Sequence, residues 1–241
     1  MIPVITRVRS LLFVAWFYLI SIPLALGFTL LLLAPRRGMM IALYVWARLV
    51  MLGLRILAGI RVEVRGLQHA PTGAGLIAAK HQGMFDTIGP FTFLPDACYV
   101  LKKELMKVPF YGWEATRAEM IPIDREAHAK ALRDMVRVAR ERLADQRQII
   151  IFPEGTRKNP GDPPDYKPGV AALYRDLGLP CTPMATNSGA HWPAHGFTRN
   201  PGVIVFEFLP PIPAGLKRAD FMRELEERIE TASNALLAEG I

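Results

Sequence analysis

The stretch from Leu11 to Ala34, LLFVAWFYLISIPLALGFTLLLLA, holds no charged residue, and nothing else in the chain constrains its fold so strongly. A bilayer core needs about 20 apolar residues in helix, and this run is longer. A secretory signal has a shorter apolar stretch and a small-residue cleavage site. Ala34-Pro35-Arg36 is not such a site, so the run reads as a retained membrane anchor. Pro23 lies mid-run and leaves two options open, a kinked helix or a chain that turns back.

Met39 to Ile60 is also largely apolar, but it carries Arg48 and Arg55 seven residues apart, on one helical face. That pattern favours a helix lying in the membrane interface, its arginines reaching for phosphates, over a second span or a core helix. Charge divides the chain at the same place. Residues 1–60 hold six arginines, no lysine and no acid, whereas the remaining 181 residues hold 23 basic and 22 acidic groups. The basicity therefore belongs to the membrane segment. Its natural partner is an anionic phospholipid surface rather than a nucleic acid. Arginines flank the first helix on both sides, so charge leaves its orientation open. The expected organisation is a membrane anchor and interfacial helix over residues 1–60 and a second domain over 61–241.

After Gly59 short apolar runs alternate with helical patterns. Strands are expected at Arg61–Arg65, Gly75–Ala79, Ala97–Leu101, Met120–Ile123, Gln148–Phe152, Cys181–Ala185 and Val203–Phe208. Helices are expected at Glu126–Gln146 and Ala219–Ala238, and a Pro/Gly-rich surface loop at Lys158–Gly169. This alternation predicts an α/β sheet with helices packed on it. In open α/β sheets ligands bind beyond the carboxyl ends of the strands. His81, Lys102-Lys103, Asp124-Arg125, Glu154–Arg157 and Asn187 all follow such ends.

The stretch LIAAKHQGMFDTIGP sets His81 five residues before Asp86. On an unbroken helix the two point apart, so they meet only if the chain turns between them, as Gly83 permits. Neutral imidazole is a general base, and a carboxylate on its other nitrogen fixes the tautomer. From the pair alone a surface histidine beside an aspartate that caps a helix is the more ordinary reading. A protein nucleophile is poorly supplied. The chain has four serines, and only Ser188 lies in a plausible site loop, outside the sequence context of a hydrolase nucleophile elbow. Cys98 and Cys181 fall in expected strands without metal spacing, which fits packing and a reducing compartment. His191 and His195 are separated by Pro193, which argues against a helical metal pair. A base acting on a hydroxyl of the substrate needs no protein nucleophile.

FPEGTR, Phe152 to Arg157, follows the QIIIF strand. Glycine allows close backbone approach, Thr156 offers a hydroxyl, and Arg157 offers a planar fork suited to phosphate. Glu154 is placed to hold that arginine or a glycerol hydroxyl. Alone, the motif reads either as an anion-binding turn or as a structural turn with a surface ion pair.

HX4D followed by FPEGTR resembles the 1-acylglycerol-3-phosphate acyltransferase family. Leu101–Trp113 (LKKELMKVPFYGW), Met120–Arg125 (MIPIDR) and Leu179–Gly189 (LPCTPMATNSG) resemble its remaining blocks, in order, from about Arg61 to Phe208. Glu119 departs from the pattern, standing where a small residue, often glycine, is usual. The resemblance implies a glycerolphosphate-acyltransferase-like fold, a mixed, largely parallel sheet flanked by helices behind a two-helix membrane segment. It implies His81 as base on the free hydroxyl of a lysophospholipid, oriented by Asp86, with acyl-CoA or acyl-acyl carrier protein as co-substrate and no further cofactor or metal. It assigns Arg125 and Arg157 to the glycerol phosphate, Glu154, Gly155 and Thr156 to the acceptor site, and Lys102 and Lys103 as weaker phosphate candidates. Backbone N–H groups near Gly83 or Gly155 are candidates for the oxyanion. The expected location is the cytoplasmic membrane, with the site on the cytoplasmic side. Competing readings are an acyltransferase for another lysolipid, such as lyso-ornithine lipid, and a catalytically silent lipid-binding protein.

Overall fold

The computed structural model describes residues 3–124 and 128–240, apart from the side chains at 128 and 129. Helix α1 spans Val4–Phe28 and runs on through Pro23. The chain reverses instead at the 3-10 turn Thr29–Leu33 and Pro35, after which α2 (Arg36–Gly53) packs back along α1. Pro35 directly precedes the first turn of α2, where a missing N–H does no harm. The Trp16 indole donates to the Leu49 carbonyl at 3.1 Å and the Trp46 indole to Ser21 Oγ at 2.9 Å, locking the hairpin.

The second segment presents two different faces. Met39, Ala42, Leu43, Ala47 and Val50, at spacings of three and four, are buried, while Tyr44, Arg48, Leu52 and Arg55 face out. One face of α2 is thus a core face, and only the other carries the arginines. Both hairpin segments are long and apolar enough to cross a bilayer, and α1 leaves Leu11, Leu12, Leu19, Ile22 and Leu26 more than half exposed. Uncovered apolar area of this extent belongs against lipid, which makes the chain membrane-associated.

Among the described residues seven strands form one sheet, β1 (Ile60–Arg65), β2 (Gly75–Ala79), β3 (Ala97–Lys102), β4 (Ile121–Ile123), β5 (Gln148–Ile151), β6 (Cys181–Thr186) and β7 (Gly202–Phe208). Their order is β1-β7-β6-β2-β5-β3-β4, and only the β6–β7 pairing is antiparallel. The mixed, largely parallel sheet is the one expected. β2 and β5 are buried along their whole length, which is why they read as uninterrupted apolar runs rather than as alternation.

The helices are α3 (Tyr111–Arg117), α4 (His128–Ala144), α5 (Gly169–Leu177), the single turn α6 (Ser188–His191) and α7 (Arg218–Ala238). The sequence reading anticipated α4 and α7 but not α3, α5 or α6. The hairpin is no loose appendage, since it shares one continuous apolar core with the sheet. Trp192 receives Phe13 and Phe17 edge-on at 5.2 and 5.9 Å and stacks on Phe85 at 5.8 Å. The Arg36–Asp96 ion pair at 2.8 Å ties α2 to the start of β3.

Candidate functional site

β2 and β5 are neighbours in register, Ala78 opposite Ile151, so the segments leaving their carboxyl ends emerge side by side. His81 and Phe152 leave those ends and stack face to face, with centroids 4.0 Å apart. Asp86 returns on the 3-10 turn Met84–Thr87. Its Oδ2 accepts the Gln82 and Gly83 amides at 2.6 and 2.8 Å and lies 3.1 Å from His81 Nδ1. The two readings of this aspartate are therefore one arrangement, because the oxygen that caps the turn also holds the imidazole. Asp86 is fully buried and His81 partly so. With Nδ1 held, Nε2 is the nitrogen left to take a proton.

Gly83 was expected to supply the bend through its conformational freedom. Its φ of −150° is extended backbone that any residue adopts. Glycine is required there for space, since a Cβ would lie 2.5 Å from the Trp192 carbonyl oxygen. Gly155 is the residue that needs a left-handed backbone, at φ +65°, in a turn closed by its N–H on the Phe152 carbonyl at 3.0 Å. The amides of Gly83 and Gly155 themselves are engaged, with Asp86 and with Phe152, so an oxyanion donor near them is a neighbouring amide.

His81, Gly155, Thr156 and Arg157 all line a cavity of about 1070 Å³. Its walls run from the ends of β2 and β5 to the hairpin at Phe28, Leu43 and Trp46, and they are mostly apolar. Thr156 and Arg157 are exposed at its mouth, where Arg157 donates to the Ala194 carbonyl at 3.4 Å. Lys102 lines the cavity. Lys103 stands on the surface and pairs with Asp124 at 3.1 Å. Arg125 lies outside the described residues.

Glu154 is not directed at Arg157 or at the cavity. Its buried carboxylate sits 2.8 Å from Lys80 Nζ, which also meets Glu230 of α7 at 2.7 Å. The Tyr166 hydroxyl donates to the same Glu230 oxygen at 3.0 Å. The role given to Lys80 here was not anticipated, and the signal was present: a lysine closing an otherwise apolar five-residue strand must find a carboxylate if it is buried. Burial outweighs the lysine and holds the Glu154 pKa above the usual carboxylate range.

Two further groups on the cavity wall lack protein partners among the described residues, Glu114 Oε1 and the Tyr99 hydroxyl. Burial pushes the Glu114 carboxyl up to about 7. Asn187, expected near the site, instead bridges β6 and β7 through the Val203 carbonyl and the Val205 amide. Ser188 is buried and does not line the cavity. Among the described residues no group of three or more His, Cys, Asp or Glu is placed to hold a metal ion.

Known proteins resemble this chain. The family model described as Acyltransferase matches residues 61–187. A 1-acyl-sn-glycerol-3-phosphate acyltransferase of Pseudomonas aeruginosa is 36% identical over 194 residues, covering 80% of this chain and 76% of that protein. The mouse 1-acyl-sn-glycerol-3-phosphate acyltransferase alpha is 33% identical over 169 residues, 68% of this chain and 59% of that one. The crystal structure of the 1-acyl-sn-glycerophosphate acyltransferase PlsC from Thermotoga maritima superposes with a TM-score of 0.78 at 22% identity, covering 97% of this chain and 98% of that one.

Proposed function

Because the chain belongs to the family of 1-acyl-sn-glycerol-3-phosphate acyltransferases, we propose that it moves a fatty acyl group from acyl-CoA or acyl-acyl carrier protein to the sn-2 hydroxyl of 1-acylglycerol-3-phosphate, giving phosphatidic acid. The observation that carries this reading is the His81–Asp86 pair at a large apolar cavity whose mouth also presents Thr156 and Arg157. The cavity accepts a chain, the arginine accepts a phosphate, and the histidine accepts a proton.

In this mechanism His81 Nε2 takes the proton of the acceptor hydroxyl as its oxygen attacks the thioester carbonyl. Asp86 holds the ring and stabilises the imidazolium. The C–S bond breaks as the ester C–O bond forms, and the thiolate leaves with the proton returned by His81. Arg157, with Arg125, binds the glycerol phosphate through charge-assisted hydrogen bonds. Gly155 and Thr156 shape the acceptor site. Glu154 serves that site indirectly, by fixing the turn that carries Thr156 and Arg157. The hairpin keeps the cavity at headgroup level, so the acceptor's own chain stays in lipid. Acyl thioesters are cytoplasmic, and the site faces that side.

Purified protein given lysophosphatidic acid with acyl-CoA, and separately with acyl-acyl carrier protein, should release free thiol stoichiometrically with phosphatidic acid. Turnover of lyso-ornithine lipid with none of lysophosphatidic acid would overturn the acceptor assignment.

A further inference from the structure

The segment running from the end of β3 into the first turn of α3 leaves Leu105, Val108, Tyr111 and Trp113 38–48% exposed within nine residues. They are not scattered surface positions. Tyr111 N–H closes on the Pro109 carbonyl at 2.8 Å around Phe110, whose backbone lies at φ 63°, ψ −65°. That is the strained hand of the γ-turn, unfavourable for any side chain and kept only where the surroundings hold it. The turn presents Val108 and Tyr111 on either side of Phe110, whose ring meets Trp113 edge-on at 5.2 Å.

Three observations say what covers this patch. First, α3 packs against the Thr29–Leu33 turn of the hairpin, and the Arg117 guanidinium donates to the Ala34 carbonyl. The helix that begins in the patch thus stands against the turn carrying Leu30 and Leu33, the most exposed apolar residues of the lipid-facing hairpin. Second, its composition is interfacial, with Tyr111 and Trp113 as amphipathic rings and the exposed Lys102, Lys103 and Lys107 beside them. Third, Leu105 and Tyr111 are exposed and also line the cavity that holds His81. The patch is the rim of a cavity opening.

We propose that Leu105–Trp113 is a second membrane contact, seated in the headgroup region of the bilayer beside the hairpin, and that the cavity opens into lipid between them. An acyl chain then passes from the bilayer to His81 without crossing water. This route rests on the acyl-transfer reading; the contact itself does not.

The test reads the contact without turnover. Cys98 and Cys181 are buried, with thiols pushed up to about 11 and about 12, so an introduced surface cysteine labels selectively. Full-length Trp113→Cys, Val108→Cys, Leu19→Cys on α1 and Arg175→Cys on α5 are each labelled with an environment-sensitive fluorophore. They are then reconstituted into phosphatidylcholine–phosphatidylglycerol vesicles carrying brominated lipid. Labels at 113 and 108 should shift to shorter wavelength and be quenched as the label at 19 is, while the label at 175 stays unquenched. Should one of the two variants fail to fold, the other decides. Water-like, unquenched labels at both positions, with quenching at 19, would overturn the contact. Quenching at both positions in a protein that acylates no lysolipid would leave the contact standing and remove the acyl-transfer reading instead.

Discussion

Lys80 Nζ lies 2.8 Å from Glu154 Oε1, and both side chains are buried. Lys80 directly precedes His81 and Glu154 lies within FPEGTR, so this pair ties the segment carrying the histidine to the FPEGTR turn. Glu230 completes the cluster from the last helix, at 2.7 Å. Removing the lysine strands buried carboxylates, which costs roughly 3–5 kcal/mol. Lys80→Met should therefore unfold at markedly lower urea concentration than the parent. Adding Glu154→Gln should recover part of the loss, because it removes one of the stranded charges. An unchanged midpoint for Lys80→Met would show that the cluster contributes nothing.

Asp86 makes a sharper claim on catalysis. One oxygen accepts two backbone amides and lies 3.1 Å from His81 Nδ1. His81→Ala removes the proposed base, and general-base catalysis contributes on the order of 10²–10⁴ in rate. Acyl transfer should fall by at least that much while vesicle flotation remains unchanged. Asp86→Asn keeps an acceptor for the amides but loses the charge that stabilises the imidazolium, so kcat should fall with KM little changed. Parental thiol release from His81→Ala would remove the mechanism.

Much of this was legible in the sequence, for identifiable reasons. The strands were legible because burial on both faces writes them as plain apolar runs, as in β2 and β5. The neighbouring positions of His81 and FPEGTR followed from the habit of α/β sheets to gather sites at strand ends. What stayed hidden depends on packing between residues distant in the chain. Nothing local in Glu230 says that it reaches Lys80, and nothing in Gly83 says that the Trp192 carbonyl stands where its Cβ would be. α5 was missed because it is short and follows a Pro/Gly-rich loop. The departure at Glu119 was a backbone signal in disguise. This residue lies at φ +54°, a left-handed position that favours glycine, and its carbonyl is held by Arg142 and Arg147.

Arg157 and Lys103 were both candidates for phosphate, and their settings separate them. Arg157 lines the cavity mouth, whereas Lys103 is a surface residue paired with Asp124. A hydrogen bond to a charged group contributes about 1.5–3 kcal/mol, or roughly 10- to 100-fold in binding. Arg157→Ala should raise KM for lysophosphatidic acid by that factor with a smaller effect on kcat, and Arg157→Lys should restore part of it. Lys103→Ala should change KM by less than about fivefold, since exposed pairs are worth at most about 1 kcal/mol. Equal losses in both variants would contradict the placement of the phosphate.

Glu114 gives the chain a pH dependence whose sign is fixed by its environment. Burial raises its pKa from 4.5 to about 7. Between those values the folded protein keeps a proton that the unfolded chain has released, so stability falls as pH rises through the interval. The contribution is fully present below about 4.5 and gone above about 7. Glu114→Gln removes the ionisation, so its melting temperature relative to the parent should climb from pH 5 to pH 8 and level off above that. The same change should flatten the loss of long-chain acyl-CoA affinity as the carboxylate charges on the apolar cavity wall. A melting-temperature difference independent of pH would place that carboxyl in water and refute the assignment.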